Sequence, residues 1–290
     1  MHAFFFGLGF SSQAALTNLR IDSRTVSISG TVRTADKAQM LTRGGIDAHV
    51  FDGTAPGATL GPSLRDASHV IFSIAPGPDG DPALVHHRAD LDAATNLEWL
   101  CYYSTVGVYG DFGGAWIDES APLVPRNERS DRRVLAEQTW RDYAAQRGVP
   151  LTILRLAGIY GPGRSTFDKL RDGTSRRVVK PGQVFNRIHV EDIGRVTALA
   201  AAARLDGTFN LGDDEPAPPQ EVIAHAAAML GVEPPPEIPF ETAEMSPMQR
   251  SFYTDNKRVS NAAIKQALGI EMLYPTYREG LAAIYRKEQA

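Results

Sequence analysis

The stretch Phe4-Phe5-Phe6-Gly7-Leu8-Gly9-Phe10-Ser11-Ser12-Gln13-Ala14-Ala15-Leu16 decides the fold of this chain. An apolar run typical of a buried strand meets a turn of small residues and continues into a helix-compatible segment. Gly7 permits a tight turn, Gly9 lets the backbone approach a pyrophosphate, and Ser12 allows close packing of helix on strand. Ser11 or Ser12 is expected to cap the helix, whose first N–H groups would face phosphates. The pattern predicts a dinucleotide-binding βαβ unit, with Phe10 also at the cofactor turn.

Composition excludes several classes of protein. The chain has 290 residues, of which 43% are hydrophobic, enough for one large core or two modest ones. Its net charge of −4 offers no basic surface to nucleic acid, and no apolar stretch reaches the ~18 residues of a membrane span. A single cysteine, Cys101, excludes an intramolecular disulfide and a multi-cysteine metal site. No signal peptide is recognisable at the N-terminus. We expect a cytoplasmic protein that binds a small molecule and no metal, with a homodimer left open.

Short apolar runs alternate with helix-length segments up to about residue 160, as a parallel α/β sheet requires. The predicted strands are residues 4–6, 26–29, 48–51, 70–74, 99–103 and 151–156. The predicted helices are residues 13–19, 36–43, 64–67, a stretch around 83–99, and 129–147, which ends at Gly148. This alternation predicts an α/β fold, a Rossmann-type doubly wound parallel sheet, with ligands at the carboxyl ends of its strands.

Prolines and glycines become frequent after residue 160, and the alternation of short apolar runs with helix-length segments changes there. Helical patterns continue at residues 192–203, 219–230, 260–268 and 277–287. We therefore predict a Rossmann domain over residues 1–160. A smaller, loop-rich, substrate-binding lobe is expected over residues 161–290, with some elements that return to the main sheet.

The end of the second strand favours NADP over NAD. NAD-selective chains usually place an acidic residue there, to bond the ribose 2′-hydroxyl. This chain instead has Ser29-Gly30-Thr31-Val32-Arg33. Arg33 offers a planar cation suited to a 2′-phosphate, and Thr31 adds a hydroxyl. The alternative is that Arg33 is an ordinary surface arginine. At the end of the third strand, Phe51-Asp52 is expected to border the adenine, although an Asp-Gly turn there needs no ligand.

Three further stretches carry a family resemblance. They are Cys101-Tyr102-Tyr103-Ser104-Thr105-Val106-Gly107-Val108-Tyr109-Gly110, Ile153-Leu154-Arg155-Leu156-Ala157-Gly158-Ile159-Tyr160-Gly161-Pro162-Gly163 and Arg187-Ile188-His189-Val190-Glu191-Asp192-Ile193. With the glycine turn, they resemble the NAD(P)-dependent epimerase/dehydratase family, the extended branch of the short-chain dehydrogenase/reductase superfamily. The resemblance covers nearly the whole chain. It implies hydride exchange at a nicotinamide, and small residues beside the cofactor at Ser73, Ala75 and Pro76.

The resemblance also implies which residues carry the reaction. A Ser/Thr hydroxyl that holds the reacting oxygen maps onto Thr105, with Ser104 its neighbour. The family's Tyr-x-x-x-Lys pair maps onto Arg129 and Arg133, which departs from the pattern. Arginine does not lose its proton near neutral pH, so Arg129 cannot replace a phenol as acid/base. Arg133 can still place a fixed positive charge near the nicotinamide ribose.

Two functions remain open from the sequence. The first is an NADP(H)-dependent oxidoreductase or epimerase that acts on a small polar substrate such as a sugar nucleotide. Its proton donor would then be Tyr109, Tyr160 or His189, although a tyrosine before glycine is more often a packing residue. The second is a catalytically altered NADP(H)-binding sensor or regulatory module, which the missing Tyr-x-x-x-Lys pair favours.

Overall fold

Residues 1–289 are described by a computed structural model with a seven-stranded central sheet. The strands are β1 (His2–Phe6), β2 (Ser27–Val32), β3 (Asp47–Val50), β4 (His69–Phe72), β5 (Trp99–Thr105), β6 (Trp116–Ile117), β7 (Leu151–Leu156), β8 (Gly158–Tyr160), β9 (Arg177–Val179), β10 (Arg187–His189), β11 (Gly207–Leu211), β12 (Glu237–Pro239) and β13 (Arg258–Val259). The helices are α1 (Phe10–Ile21), α2 (Ala35–Arg43), α3 (Gly61–Arg65), α4 (Pro82–Asp92), α5 (Glu128–Arg147), α6 (Thr166–Arg171), α7 (Val190–Ala203), α8 (Pro219–Leu230), α9 (Pro247–Ser251), α10 (Ala262–Leu268) and α11 (Tyr277–Gln289).

The central sheet has the strand order β11-β7-β5-β4-β1-β2-β3. β1 pairs in parallel with both β2 and β4, and the pairs β2–β3 and β4–β5 are also parallel. The chain therefore moves outward from β1 to β3 and then returns to place β4 on the other side of β1. That reversal creates a switch point between β1 and β4, where open α/β sheets bind ligands beyond the carboxyl ends of the strands. The predicted Rossmann-type fold is confirmed.

Aromatic side chains fill the core on one face of this sheet. Phe6 on β1 stacks on Phe72 of β4, with ring centres 5.4 Å apart. Phe72 in turn stacks on Trp140 of α5 at 3.8 Å, and all three side chains are almost fully buried. Each such side chain contributes roughly 1.5–3 kcal/mol of hydrophobic stabilisation. The apolar residues of β1 thus both form the strand and anchor α5.

Helix α5 confirms the predicted segment 129–147, whereas the predictions 13–19, 64–67 and 83–99 differ from α1, α3 and α4 by three residues or more at one end. The Asn127 side chain accepts a hydrogen bond from the Ser130 N–H at the start of α5, and Gly148, with φ of +64°, ends it. α4 ends at Asp92, so the expected continuation to residue 99 is wrong, because Trp99 pairs with His69 in the sheet. α3 begins at Gly61 instead of residue 64, with a proline in its first turn whose φ suits a helix start.

The chain divides into two compact units that interleave along the sequence. Unit 1 comprises Met1–Val108, Pro125–Arg155 and Ile193–Phe209, and unit 2 comprises Tyr109–Val124, Leu156–Asp192 and the chain from Asn210 onward. Unit 2 contains the parallel pairs β8–β10, β9–β12 and β6–β13. The sequence indicated a single boundary at residue 160, and the substrate-binding role of the C-terminal lobe stays a prediction. Within residues 1–289, no helix has both the length and the apolar character that crossing a bilayer demands.

Candidate functional site

The glycine turn after β1 is held in place by the end of β2. Gly7 has φ of +93°, in the left-handed region that favours glycine, and a Cβ there would lie 2.8 Å from Ser73 Oγ. The Gly7 N–H donates to Thr31 Oγ1 (2.8 Å), and the Leu8 N–H donates to the Thr31 carbonyl (2.7 Å). Residue 7 must therefore be glycine, and Thr31 fixes the path of the turn.

Helix α1 begins directly after this turn, with Gly9 as N-cap and no side-chain cap. The prediction that Ser11 or Ser12 caps the helix is wrong, because both residues lie inside its first turn. The buried Ser12 hydroxyl instead donates to Ser73 Oγ (3.0 Å), whose own hydroxyl donates to the Gly7 carbonyl (2.7 Å). A Cβ at Gly9 would meet none of the described atoms within 4 Å. An open approach to Gly9 and an uncapped first turn fit the pyrophosphate of a dinucleotide.

Arg33 is the cationic group at the end of β2. It follows the last residue of the strand, its side chain is exposed, and it forms no ion pair or hydrogen bond with any residue in 1–289. Thr31, in contrast, is fully buried and its hydroxyl accepts from Gly7. The expected role of the Thr31 hydroxyl at a phosphate is therefore corrected to a role inside the turn. Arg33 alone of this pair can meet a 2′-phosphate.

The two residues expected beside the adenine lie in different surroundings. Phe51 is only 3% exposed and packs edge-on against the rings of Phe6 (5.8 Å) and His87 (5.1 Å) in the core. Its side chain is therefore a core residue, which corrects its expected place on a cofactor surface. Asp52 is exposed, and hydrogen bonds from the Thr54 hydroxyl and N–H lower the pKa of its carboxyl. The expected place of Asp52 beside the adenine stays a prediction.

The loop after β4 carries the other residues expected near the cofactor. Ser73 joins this strand end to the glycine turn through the bonds described above, Ala75 is exposed and Pro76 is half-buried. The loop ends at Asp81, which caps α4 by accepting from the Ala83 N–H (3.0 Å). Asp81 is 4% exposed, its Oδ2 has no partner among the described residues, and burial raises its pKa to about 6. No motif in the sequence marked Asp81.

The buried carboxylate of Glu137 holds the end of β5 in place through a hydrogen bond. The Ser104 hydroxyl donates to Glu137 Oε1 (2.6 Å), and Glu137 also bonds the guanidinium groups of Arg155 (2.7 Å) and Arg141 (3.0 Å). Ser104 and Glu137 are 4% and 0% exposed. The Ser104 hydroxyl is thus committed to Glu137, which corrects its expected contact with a reacting oxygen. Its position on the strand supports the neighbouring Thr105.

Thr105 is the half-exposed hydroxyl at this strand end. Its Oγ1 accepts from the Gly107 N–H (3.1 Å), which leaves its own proton available to another acceptor. A Cβ at Gly107 would lie 3.4 Å from Thr105 Oγ1 and 3.1 Å from the Oγ of the buried Ser130. A side chain at residue 107 would therefore crowd both hydroxyls. The sequence did not mark Ser130, because it occurs as a helix-start residue of α5.

Arg133 reaches the same strand end from α5. Its Nη1 donates to the Tyr103 carbonyl (2.7 Å) and to the Tyr102 hydroxyl (3.0 Å), and its guanidinium lies over the Tyr102 ring. Burial raises the pKa of Tyr102, although the charge of Arg133 opposes this. Arg129 is exposed in the first turn of α5. The structure therefore places a fixed positive charge at the carboxyl end of β5.

The three expected proton donors lie in unit 2 and are largely buried. The Tyr109 hydroxyl is 0% exposed and donates to Asn210 Oδ1 (2.7 Å), which makes Tyr109 a packing residue and corrects its expected catalytic role. The Tyr160 ring packs edge-on against His189 at 5.2 Å. Burial lowers the pKa of His189 to about 4, so the imidazole is neutral at pH 7. Neither the position of the Tyr160 ring nor that of the His189 ring favours acid/base chemistry.

Comparison with known proteins identifies the family. The model of the NAD dependent epimerase/dehydratase family matches residues 88–212. The chain belongs to this family. A solved structure from Silicibacter pomeroyi, described as a functionally unknown conserved protein, is 43% identical to this chain, with a match that covers 98% of each chain and a TM-score of 0.88.

More distant relatives of this family member have described activities. The 3-diazoavenalumate denitrifying reductase of Streptomyces sp is 29% identical over 143 residues, which span 44% of this chain and 45% of that protein. UDP-glucuronic acid 4-epimerase from Bacillus cereus, solved in complex with NAD, has a TM-score of 0.75 at 16% identity, over 100% of this chain and 99% of that one. At that identity the likeness concerns the fold.

Proposed function

We propose that the protein is an NADP(H)-dependent oxidoreductase or epimerase that acts on a small polar substrate such as a sugar nucleotide. The observation that carries the NADP preference is Arg33, an exposed and unpaired guanidinium at the end of β2. A carboxylate at this place would repel a 2′-phosphate, whereas a guanidinium binds it through paired N–H groups. Gly7, Gly9 and the start of α1 would hold the pyrophosphate.

When bound, the nicotinamide would supply or accept a hydride. Thr105 would donate a hydrogen bond to the reacting oxygen, because its hydroxyl proton is not used by the Gly107 contact. Arg133 would hold a positive charge at the end of β5, where its bonds to Tyr103 and Tyr102 keep it in one orientation. Glu137 would position the strand end through Ser104.

The second candidate is an NADP(H)-binding sensor or regulatory module. The observation that favours it is arginine at residues 129 and 133, where the family's tyrosine and lysine are expected. Arginine stays protonated and cannot exchange a proton with a substrate.

A turnover assay separates the two functions. Carbonyl compounds and sugar nucleotides are offered with NADPH and with NADH, and the nicotinamide absorbance is followed. An enzyme oxidises NADPH faster than NADH with at least one substrate, and Thr105→Ala lowers that rate by ~10²-fold. Thr139→Ala is the matched control, because that hydroxyl bonds the Leu135 carbonyl on an exposed face of α5. An unchanged nicotinamide absorbance with every substrate, despite tight NADPH binding, favours the sensor.

A further inference from the structure

Arg187 and three other polar side chains of unit 2 come together outside the residues assigned above to the dinucleotide. Arg187 lies on β10, which pairs with β8, the strand that ends at Tyr160. The Arg187 carbonyl accepts from the Asp213 N–H (2.6 Å), so the loop after β11 lies beside β10. The Arg187 guanidinium lies 6.0 Å from the ring centre of Tyr277 on α11. Four separate elements therefore contribute to one polar cluster.

This cluster contains buried polar atoms without partners. Asp213 Oδ2, Tyr160 Oη and Tyr277 Oη make no hydrogen bond to any residue in the described chain. Asp213 is 2% exposed and Tyr277 is 1% exposed. Buried polar groups in native proteins are nearly always hydrogen-bonded. Three such atoms around one arginine indicate a polar ligand.

Some N–H donors of the Arg187 guanidinium have no acceptor among the described residues. Its Nη1 donates to the carbonyls of Phe185 (2.9 Å) and Ala217 (3.0 Å), and these bonds fix the guanidinium plane. A guanidinium has five N–H donors, so the Nε and Nη2 groups remain, and they meet no acceptor in residues 1–289. Arg187 is partly exposed, in contrast to Asp213 and Tyr277.

The charges of the cluster favour an anion. No ion pair joins Arg187 to Asp213 within the described chain. Burial raises the pKa of Asp213 to about 8; Asp214 and Glu215 act in the same direction, while Arg187 opposes them. At neutral pH the Asp213 carboxyl is therefore mostly protonated and can donate. Burial also raises the pKa of Tyr160; the charge of Asp213 acts in the same direction, while the charge of Arg187 opposes it. One positive charge surrounded by donors suits a ligand that only accepts.

We propose that Arg187, Asp213, Tyr160 and Tyr277 form a binding site for the carboxylate group of a small organic acid. A carboxylate has two oxygens that accept a paired set of N–H donors, and its single negative charge matches the single guanidinium. Near neutral pH, inorganic phosphate carries protonated oxygens that must donate, and a cluster of donors offers them few acceptors. The identification of this carboxylate as a substrate group rests on the proposed function, whereas the binding itself does not.

The test uses the full chain without dinucleotide and titrates sodium lactate by calorimetry at pH 6.5. Inorganic phosphate and glycerol are the other two probes. Lactate binds, phosphate binds more weakly and glycerol does not bind. Arg187→Gln weakens lactate binding by ~10-fold or more. Arg171→Gln is the matched control, because Arg171 also lies over an aromatic ring of unit 2 but is exposed and paired with Glu288.

Asp213→Asn keeps the proposal testable even where a change of Arg187 disturbs folding. Asparagine keeps a donor and cannot ionise, so this variant binds lactate with an affinity independent of pH. The wild-type affinity falls as the pH rises from 6.5 to 9, because ionised Asp213 repels the anion. The proposal is overturned by absence of lactate binding, by tighter binding of phosphate, by an equal loss in Arg171→Gln, or by a pH-independent wild type. NADPH affinity measured in the same variants stays unchanged, which separates this site from the dinucleotide site.

Discussion

Substitution of Arg155 by methionine tests whether the buried carboxylate of Glu137 organises unit 1. The two side chains are 4% and 0% exposed, and they form two hydrogen bonds, Nη2 to Oε2 at 2.7 Å and Nε to Oε1 at 3.1 Å. Arg155→Met removes the cation and leaves Glu137 with Ser104 and Arg141. Loss of one member of a buried pair costs about 3–5 kcal/mol. Because two partners remain, we expect about 3 kcal/mol.

The assay is urea unfolding followed by tryptophan fluorescence, since Trp99 and Trp140 are fully buried in unit 1. Arg141→Met is the matched control: Arg141 bonds the same carboxylate, but its side chain is 36% exposed. Because the Arg141 end of this pair is partly solvated, we expect a smaller loss for this variant, about 1 kcal/mol. Equal destabilisation by the two substitutions would refute the reasoning.

Three further changes test other parts of the structure. Thr31→Val removes the acceptor of the Gly7 N–H, and we expect a loss of ~1–2 kcal/mol in urea unfolding together with weaker dinucleotide binding; unchanged values would contradict this. Gly194→Ala places a Cβ 2.5 Å from the Ala14 carbonyl oxygen on α1, so crowding of ~1–3 kcal/mol should outweigh the better helix propensity of alanine, whereas a more stable variant would show that α1 moves freely. Burial raises the pKa of Asp213 from 3.8 to about 8, so the contribution of this carboxyl to stability is greatest below pH ~4 and falls as the pH rises to ~8; Asp213→Asn should remove that loss, a gain of ~2–4 kcal/mol at pH 7, and parallel pH profiles of the two proteins would disprove it.

The glycine turn and the main strands could be predicted because their signals are local. An apolar run, a glycine and a helix-compatible segment suffice to place β1 and α1, and the family motifs place β5 and α5. The contacts that hold the site together are not local. Ser73 bonds Gly7 across 66 residues of sequence. Glu137 forms hydrogen bonds with side chains of β5, β7 and its own helix. Such partners become visible only when the strand register is known.

Local pattern also fails to show how a side chain at a strand end is oriented. Phe51 and Tyr109 both stand where a cofactor or substrate contact is plausible, yet both are packing residues. Ser12 has the residue type of a helix cap, but its hydroxyl bonds Ser73 and Gly9 becomes the N-cap. In each case a tertiary partner determined the role of the side chain.

The most direct test of the account is the ratio of NADPH to NADH affinity, measured by calorimetry. Arg33 should make NADPH bind ~10-fold or more tightly than NADH, and Arg33→Ala should remove that preference without weakening NADH. Arg43→Ala is the matched control, because Arg43 is exposed at the opposite end of α2. Equal affinities of the wild type for the two dinucleotides, or the same loss in both variants, would contradict the assignment of Arg33 to the 2′-phosphate.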